Sequence, residues 1–296
     1  MTGLIAGLVA ALAWTLASSL WRSLSTSLNA IQLNGLKNAL ASLVLLPVLI
    51  TLPWMQQSQA LFWLLISGGL GIALGDSLYL AALRRLGTRR TLTMESLSPL
   101  IAASSGWLTL GEQLPAGAWG GALLVTASVM IVALQQPPET TVQRDRQSRV
   151  QRQGVLMALL AVACSVAGAG VSRSVLISAD LTPLQSAACR LLGGLALLLP
   201  WMRIRWRRMT MPWPQPHPRK RRWPTVLMAT LLGTVLGILL QQIALQKLPL
   251  GIATTVLSTA PVMAILVARA EQDRLGWRGL MASLLAVSGV ALAVLS

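Results

Sequence analysis

The sequence predicts an all-α membrane protein: ten transmembrane helices, folded as two inverted five-helix repeats around a central cavity. Three observations lead there. Charged residues make up only 11% of the 296 residues, against 54% hydrophobic, where a soluble domain carries about 25% charged residues. The apolar residues come in long blocks instead of a scatter. The second half of the chain repeats the order of the first. Charges this sparse cannot solvate a globular surface of this length, which excludes soluble, disordered and fibrous classes.

A helix needs about 20 apolar residues to cross the hydrocarbon core. Ten blocks qualify, at 3–21, 28–52, 60–83, 91–110, 116–134, 154–172, 182–202, 223–245, 251–270 and 277–295. The first has no basic region before it and no clean small-residue cleavage site after it, so it reads as a retained helix and not a signal. It carries Trp14, Ser18 and Arg22 at helical spacing. The second aligns Asn34, Lys37, Asn38 and Ser42 on one face. The third places Asp76 and Tyr79 on one face, and the fourth holds Glu95 and Pro99. Cys164 and Cys189 lie inside the sixth and seventh blocks, where they read as small core residues, with no disulfide or metal framework. The seventh block also holds Arg190. The eighth holds Gln241 and Gln242, and the ninth holds Thr254, Thr255, Ser258, Thr259 and Pro261. Glycine and other small residues recur throughout, as close helix packing in lipid requires.

Sliding the chain by 162 residues sets Leu70-Gly71 on Leu232-Gly233, Leu74-Gly75 on Leu236-Gly237, and Ala82-Leu83 on Ala244-Leu245. Thr93, Ser96, Pro99 and Ala102 fall on Thr255, Ser258, Pro261 and Ala264. Nearby shifts set Gly3 and Arg22 on Gly154 and Arg173, and Gln32, Lys37 and Pro47 on Gln185, Arg190 and Pro200. The repeat divides the chain into a first unit at 1–135, a polar linker at 136–153 and a second unit at 154–296. Five spans per unit is an odd number, so the second unit runs through the bilayer upside down. Inverted repeats place a binding site near the midplane, where the halves meet.

The net charge of +16 is explained by the membrane. Roughly 20 of the 24 Lys and Arg residues sit in the odd-numbered connections. The positive-inside rule makes those connections cytoplasmic and puts both termini outside. The richest connection, Arg203 to Arg222, also holds Trp206 and Trp213 and the single His217. It reads as an interfacial belt and orientation signal against anionic headgroups, with nucleic acid not expected as a partner.

The motifs resemble those of the drug/metabolite transporter superfamily, specifically its EamA-like ten-span members. The resemblance rests on Ser98-Pro99-Leu100, then Leu110-Gly111-Glu112-Gln113-Leu114, then Gly121, Leu124 and Ser128. In the second half it rests on Ala260-Pro261-Val262, Asp273-Arg274-Leu275, Leu285 and Gly289. There the proline-to-acid spacing is one residue shorter, and Asp stands in place of the usual Glu. The resemblance implies a basket of ten helices around a cavity, in a bacterial plasma (inner) membrane. It also implies secondary transport of small metabolites or drugs, often export. Family members are commonly drawn with both termini cytoplasmic, opposite to the arginine count, so both orientations stay open.

Ionisable residues within lipid cost roughly 2.5–3.5 kcal/mol each on insertion scales, so they face a cavity or a partner. Lys37, Asp76, Glu95 and Arg190 are the four candidates. From helix rise, Lys37, Asp76 and Glu95 approach from one face, while Arg190 enters from the other as the counterpart of Lys37. A carboxylate in a partly dry cavity can exchange a proton with water, and Lys37 or Arg190 can meet an anionic group on a solute. The alternative is a Lys37–Asp76 ion pair that only holds two helices together, or a Glu95 bridge to Arg89 or Arg90. Trp14 and Tyr79 offer aromatic faces for flat or cationic solutes, with packing as their plain reading. Asn34, Asn38, Gln241 and Ser258 are candidate solute contacts. Pro99 and Pro261 are candidate paired helix breaks, the best pointer to a transporter site. Glu112 and Asp273 read as helix-end partners.

No GxxxxGK[ST] loop is present, which excludes P-loop ATP hydrolysis. No HExxH is present, and His217 lies outside every span. The sequence therefore predicts no enzyme, no cofactor and no metal. It predicts gradient-driven transport of an amino-acid-like or cationic, amphipathic solute by alternating access. A lipid flippase or a non-transporting membrane scaffold is the second reading. The bilayer and a small-molecule substrate are the expected partners, and a homo-oligomer stays open.

Overall fold

The computed structural model describes residues 1–23, 28, 30–135, 144–203, 222–260, 262–263 and 277–295, and these are helical apart from short connections. Helix α1 spans Thr2–Ser23. Helices α2 (Ala30–Val44) and α3 (Leu46–Ile50) form one stepped path, with a single-residue step at Leu45 and Pro47 in the first turn of α3. Helix α4 (Ser58–Gly68) passes through a π-helical segment, Gly69–Gly75, into α5 (Asp76–Glu95). Then come α6 (Ser98–Leu110), α7 (Ala116–Gln135), α8 (Arg144–Ser178) and α9 (Pro183–Arg203). Helix α10 (Arg222–Thr230) passes through a second π segment, Leu231–Leu236, into α11 (Gly237–Lys247). Helices α12 (Leu250–Leu257) and α13 (Trp277–Leu295) complete the described chain.

Among the described residues, five stretches are long and apolar enough to cross a bilayer: Thr2–Trp21, Ser58–Ala82, Arg152–Ser178, Pro183–Met202 and Trp223–Lys247. Ala116–Ile131 and Leu284–Leu295 are shorter apolar helices. The boundaries differ from the sequence reading between the third and fourth spans. The stretch holding Arg84, Arg85, Arg89 and Arg90, expected as a connection, continues α5 as helix. Charge marked it as a loop, but Arg and Leu are good helix formers and one glycine is tolerated. The chain turns instead at Ser96–Leu97, just before Ser98-Pro99. Pro99 then sits in the first turn of α6, right after Ser98, where its missing N–H costs nothing because the first amides of a helix have no intrahelical partner. Pro99 thus opens a new helix and does not kink a continuous one. Pro261 lies outside the described residues, as do Arg205–Arg221 with His217, Asp273 and Arg274.

Two repeats are visible in the backbone. The second π segment lies where a shift of 162 residues carries the first, and the ends of α5 and α12, at Glu95 and Leu257, are separated by that same shift. The packing partners follow the repeat too. Helix α1 packs on α10, the second π segment and α11, while α8 packs on α4, the first π segment and α5. Helix α2 packs on its counterpart α9, and α7 on its counterpart α13.

Glycine creates the close approaches, and these come in matched pairs. A Cβ on Gly75 would meet Ser165 Oγ at 2.8 Å, while one on Gly237 would run into the Trp14 indole. Gly168 lies against the backbone of Gly71, and Gly233 lies against Ala17, whose Cβ would be 2.6 Å from an added Cβ. Gly154 abuts Leu86, and Gly3 abuts Leu248. Gly121 and Gly289 lie against each other's carbonyls. Between these contacts sit several apolar cores, of which three are the largest. One joins α2, α3, α4 and α9 through Leu49, Leu61, Leu64 and Leu191; a second joins α6, α8, α11 and α12 through Ala102, Val166, Leu245 and Leu250. The third joins α7, α12 and α13 through Val125, Val129, Val256 and Val290. Dispersion and shape, not exclusion from water, hold such contacts in lipid.

Candidate functional site

The π segments explain several polar residues of the spans. In a π turn an amide donates five residues back and passes over one carbonyl. A carbonyl left without a partner within a bilayer costs several kcal/mol, so another donor must satisfy it. The amide of Asp76 donates to Gly71 O, passing over Ile72 O. That carbonyl accepts from Asn34 Nδ2 at 2.7 Å. The amide of Gly237 donates to Leu232 O, passing over Gly233 O. That carbonyl accepts from the Trp14 indole N–H at 2.9 Å. The Trp14 indole N–H and one Asn34 amide hydrogen are therefore spent on backbone. Asn34 also reaches Ser77 Oγ at 3.2 Å, and Asn38 Nδ2 donates to Asn34 O at 2.9 Å and to Asn34 Oδ1 at 3.1 Å.

The first π segment delivers Asp76 at its end. Its Oδ2 stands 3.7 Å from Lys37 Nζ on α2. The two side chains are 20% (Lys37) and 42% (Asp76) exposed, so the pair is open on one side. Arg190, from α9, lies within electrostatic reach of Asp76 without touching it. Its Nη1 reaches Gln241 Oε1 on α11 at 3.4 Å. Three residues beyond Asp76 on α5, Tyr79 lies within electrostatic reach of Glu95, and both feel the Asp76 charge. Lys37, Asp76, Tyr79, Glu95, Arg190 and Gln241 thus gather from α2, α5, α9 and α11. Two cations and two anions balance one another, and both halves of the chain contribute.

The remaining candidates stand apart. Ser258 Oγ lies 3.1 Å from Ser98 Oγ, beside the two turns that interrupt the helices. Pro99 is buried in the first turn of α6. Gln242 turns away from Gln241: its Oε1 accepts from Ser172 Oγ and from Ser186 Oγ, the latter at 3.0 Å, which ties α11 to α8 and α9. The side chains of Arg89 and Arg90 lie outside the described residues.

One ionic cluster was read only in part from sequence, which takes Glu112 as a helix-end partner but does not pair it with Arg173. Arg173 Nε on α8 pairs with Glu112 Oε1, both side chains nearly buried, and Arg173 Nη1 donates to Leu245 O at the end of α11. Glu112 Oε2 accepts from the Leu250 N–H at 2.7 Å, capping α12. Gly111 places Glu112 there: it ends α6 at φ +65°, and the Glu112 amide donates back to Gly106 O at 3.1 Å. The signal was present in the sequence, since Arg173 is the repeat counterpart of Arg22 and Glu112 belongs to the Leu-Gly-Glu-Gln-Leu motif.

Apolar helices of membrane-spanning length, a two-repeat layout and charges gathered between the repeats define a polytopic membrane protein of the transporter class. The comparisons with known proteins make this specific. The chain belongs to the EamA-like transporter family, which it matches over residues 1–134 and 152–295. It is accordingly an integral, multi-pass membrane protein of a family of small-solute transporters. A solved chain described as "Crystal structure of protein" is similar in fold, with a TM-score of 0.75 at 18% identity, covering 99% of this chain and 96% of that one. No curated protein matches it in sequence.

Proposed function

We propose that the protein is a secondary active or facilitative transporter of a bacterial inner membrane, exporting a small metabolite or drug by alternating access. One observation carries the reading: Lys37, Asp76, Tyr79, Glu95, Arg190 and Gln241 converge from both repeats on one polar cluster, with Asp76, Tyr79, Arg190 and Gln241 inside stretches apolar and long enough to cross a bilayer. Charges are kept in a bilayer only where they have work or a partner. In this reading ten spans form two inverted five-helix units at 1–135 and 154–296, with the cluster near the midplane between them. A charge-balanced site suits a solute that carries both signs, or a cation with an apolar body. The test is flux into proteoliposomes from a panel of amino acids and cationic drugs under imposed proton and solute gradients. Asp76→Asn or Glu95→Gln should abolish proton-driven flux and leave solute exchange intact if that carboxylate carries the proton. Equal loss of both fluxes, or of neither, removes the proton role. Absence of flux for every solute under every gradient removes the transporter reading.

A flippase or scaffold draws on a different feature. An open groove of about 580 Å³, lined by Ser104, Trp107, Leu108, Gln113, Leu114 and Trp119, lies on the outer surface of α6 and α7. It shares no residue with the charged cluster. Scramblase activity in vesicles with labelled lipid would favour that reading.

A further inference from the structure

Arg190 is the one charged side chain among the described residues that is essentially buried, at 2% exposure. A guanidinium presents five N–H donors in a rigid planar fork and stays charged in a protein. The fork of Arg190 is nearly empty. Its Nε is buried without an acceptor, and Nη1 makes only the long 3.4 Å contact to Gln241. Asp76 attracts it, yet the contact-distance partner of Asp76 is Lys37, and among the described residues no carboxylate lies within 4.0 Å of Arg190. Glycines lie against both the backbone and the side chain of Arg190. The Arg190 carbonyl presses against Gly68, and a Cβ on Gly71 would stand 3.1 Å from Nη2. A desolvated cation with unfilled donors, held beside glycine, is a seat for a planar anion.

We propose that Arg190 anchors the carboxylate of the transported solute, an inference that rests on the transporter reading and narrows its substrate class. A carboxylate fits better than a phosphate. It offers two coplanar oxygens to the fork, and it brings one negative charge into a site that already holds Asp76 and Glu95. Gln241, beside the fork, has amide donors for the same group. Tyr79 and Glu95 stand farther along α5, where an ammonium on the solute would find an acceptor.

The experiment compares matched probes on the purified wild-type protein in detergent: leucine, 4-methylpentanoate, which keeps only the carboxylate, and isopentylamine, which keeps only the amine. Binding is read by thermal shift and by calorimetry. Leucine and 4-methylpentanoate should bind, and isopentylamine should bind at least ~30-fold more weakly, as for loss of a group that fills a buried charge. In Arg190→Gln that preference should vanish. Arg190→Lys, which keeps the charge without the fork, should recover part of it. Isopentylamine binding as tightly as leucine overturns the anchor and leaves transport standing, as does an organic phosphate monoester that outcompetes 4-methylpentanoate. Arg190→Gln folding normally with its preference unchanged also overturns it. No binding or flux for any probe overturns the anchor and the transporter reading together.

Discussion

The Glu112–Arg173 pair allows a prediction whose size follows from the geometry. Both side chains are about nine-tenths buried, at 10% and 11% exposure, and Glu112 serves two donors on different helices. Glu112→Ala removes the ion pair and the cap together. Breaking a buried pair by deleting one partner costs about 3–5 kcal/mol, because the other charge is stranded, and losing a helix cap costs about 1 kcal/mol more. A loss of about 4–6 kcal/mol is therefore expected. Glu112→Gln keeps an acceptor oxygen for the Leu250 amide, so it should lose about 1–2 kcal/mol less than the alanine variant. The double variant Glu112→Leu with Arg173→Met leaves no charge behind and should be more stable than either single change. The assay is reversible unfolding in mixed micelles, read by helical signal, as a double-mutant cycle. If the single changes cost under about 1 kcal/mol, or add without coupling, the pair is not the tie between α6, α8, α11 and α12 that the geometry describes.

Other expectations come from the helix contacts. Gly121→Val should push α7 from α13 against the Gly289 carbonyl and cost about 1–3 kcal/mol of overpacking, seen as a lower unfolding midpoint. Gly111→Ala meets nothing within 4 Å but must hold φ +65°, so it should cost only about 1–2 kcal/mol, from backbone strain alone. Trp14→Phe keeps the ring and removes the donor to Gly233 O. By the measured range for interhelical hydrogen bonds in membranes it should cost about 0.6–1.7 kcal/mol, and an unchanged midpoint would show that the carbonyl finds another donor.

Much of this architecture was legible because lipid makes composition decisive. Long apolar blocks had to be helices, and the matched glycines and proline around Gly71 and Gly233, Pro99 and Pro261 placed the repeat. Lys37, Asp76 and Arg190 were found because a charge within a span is conspicuous. The π segments were not legible, since their mark is a skipped carbonyl and the residue types that fill it, Asn34 and Trp14, resemble ligand-binding residues equally well. The turn at Ser96–Leu97 was misplaced by several residues because arginines suggested a loop where helix propensity prevailed. The separate fates of Gln241 and Gln242 depend on which way adjacent side chains point, about 100° apart on a helix, and no count of residues reveals which one meets Arg190.

The matched glycine seats carry a consequence for biosynthesis. Gly3 waits for Leu248, Gly71 and Gly75 for the Gly168 and Ser165 region, and Gly121 for Gly289. Each of these close approaches joins a residue in the early part of the chain to one that leaves the ribosome much later. The first unit therefore reaches its final packing only once the later helices have been made and have come up against it.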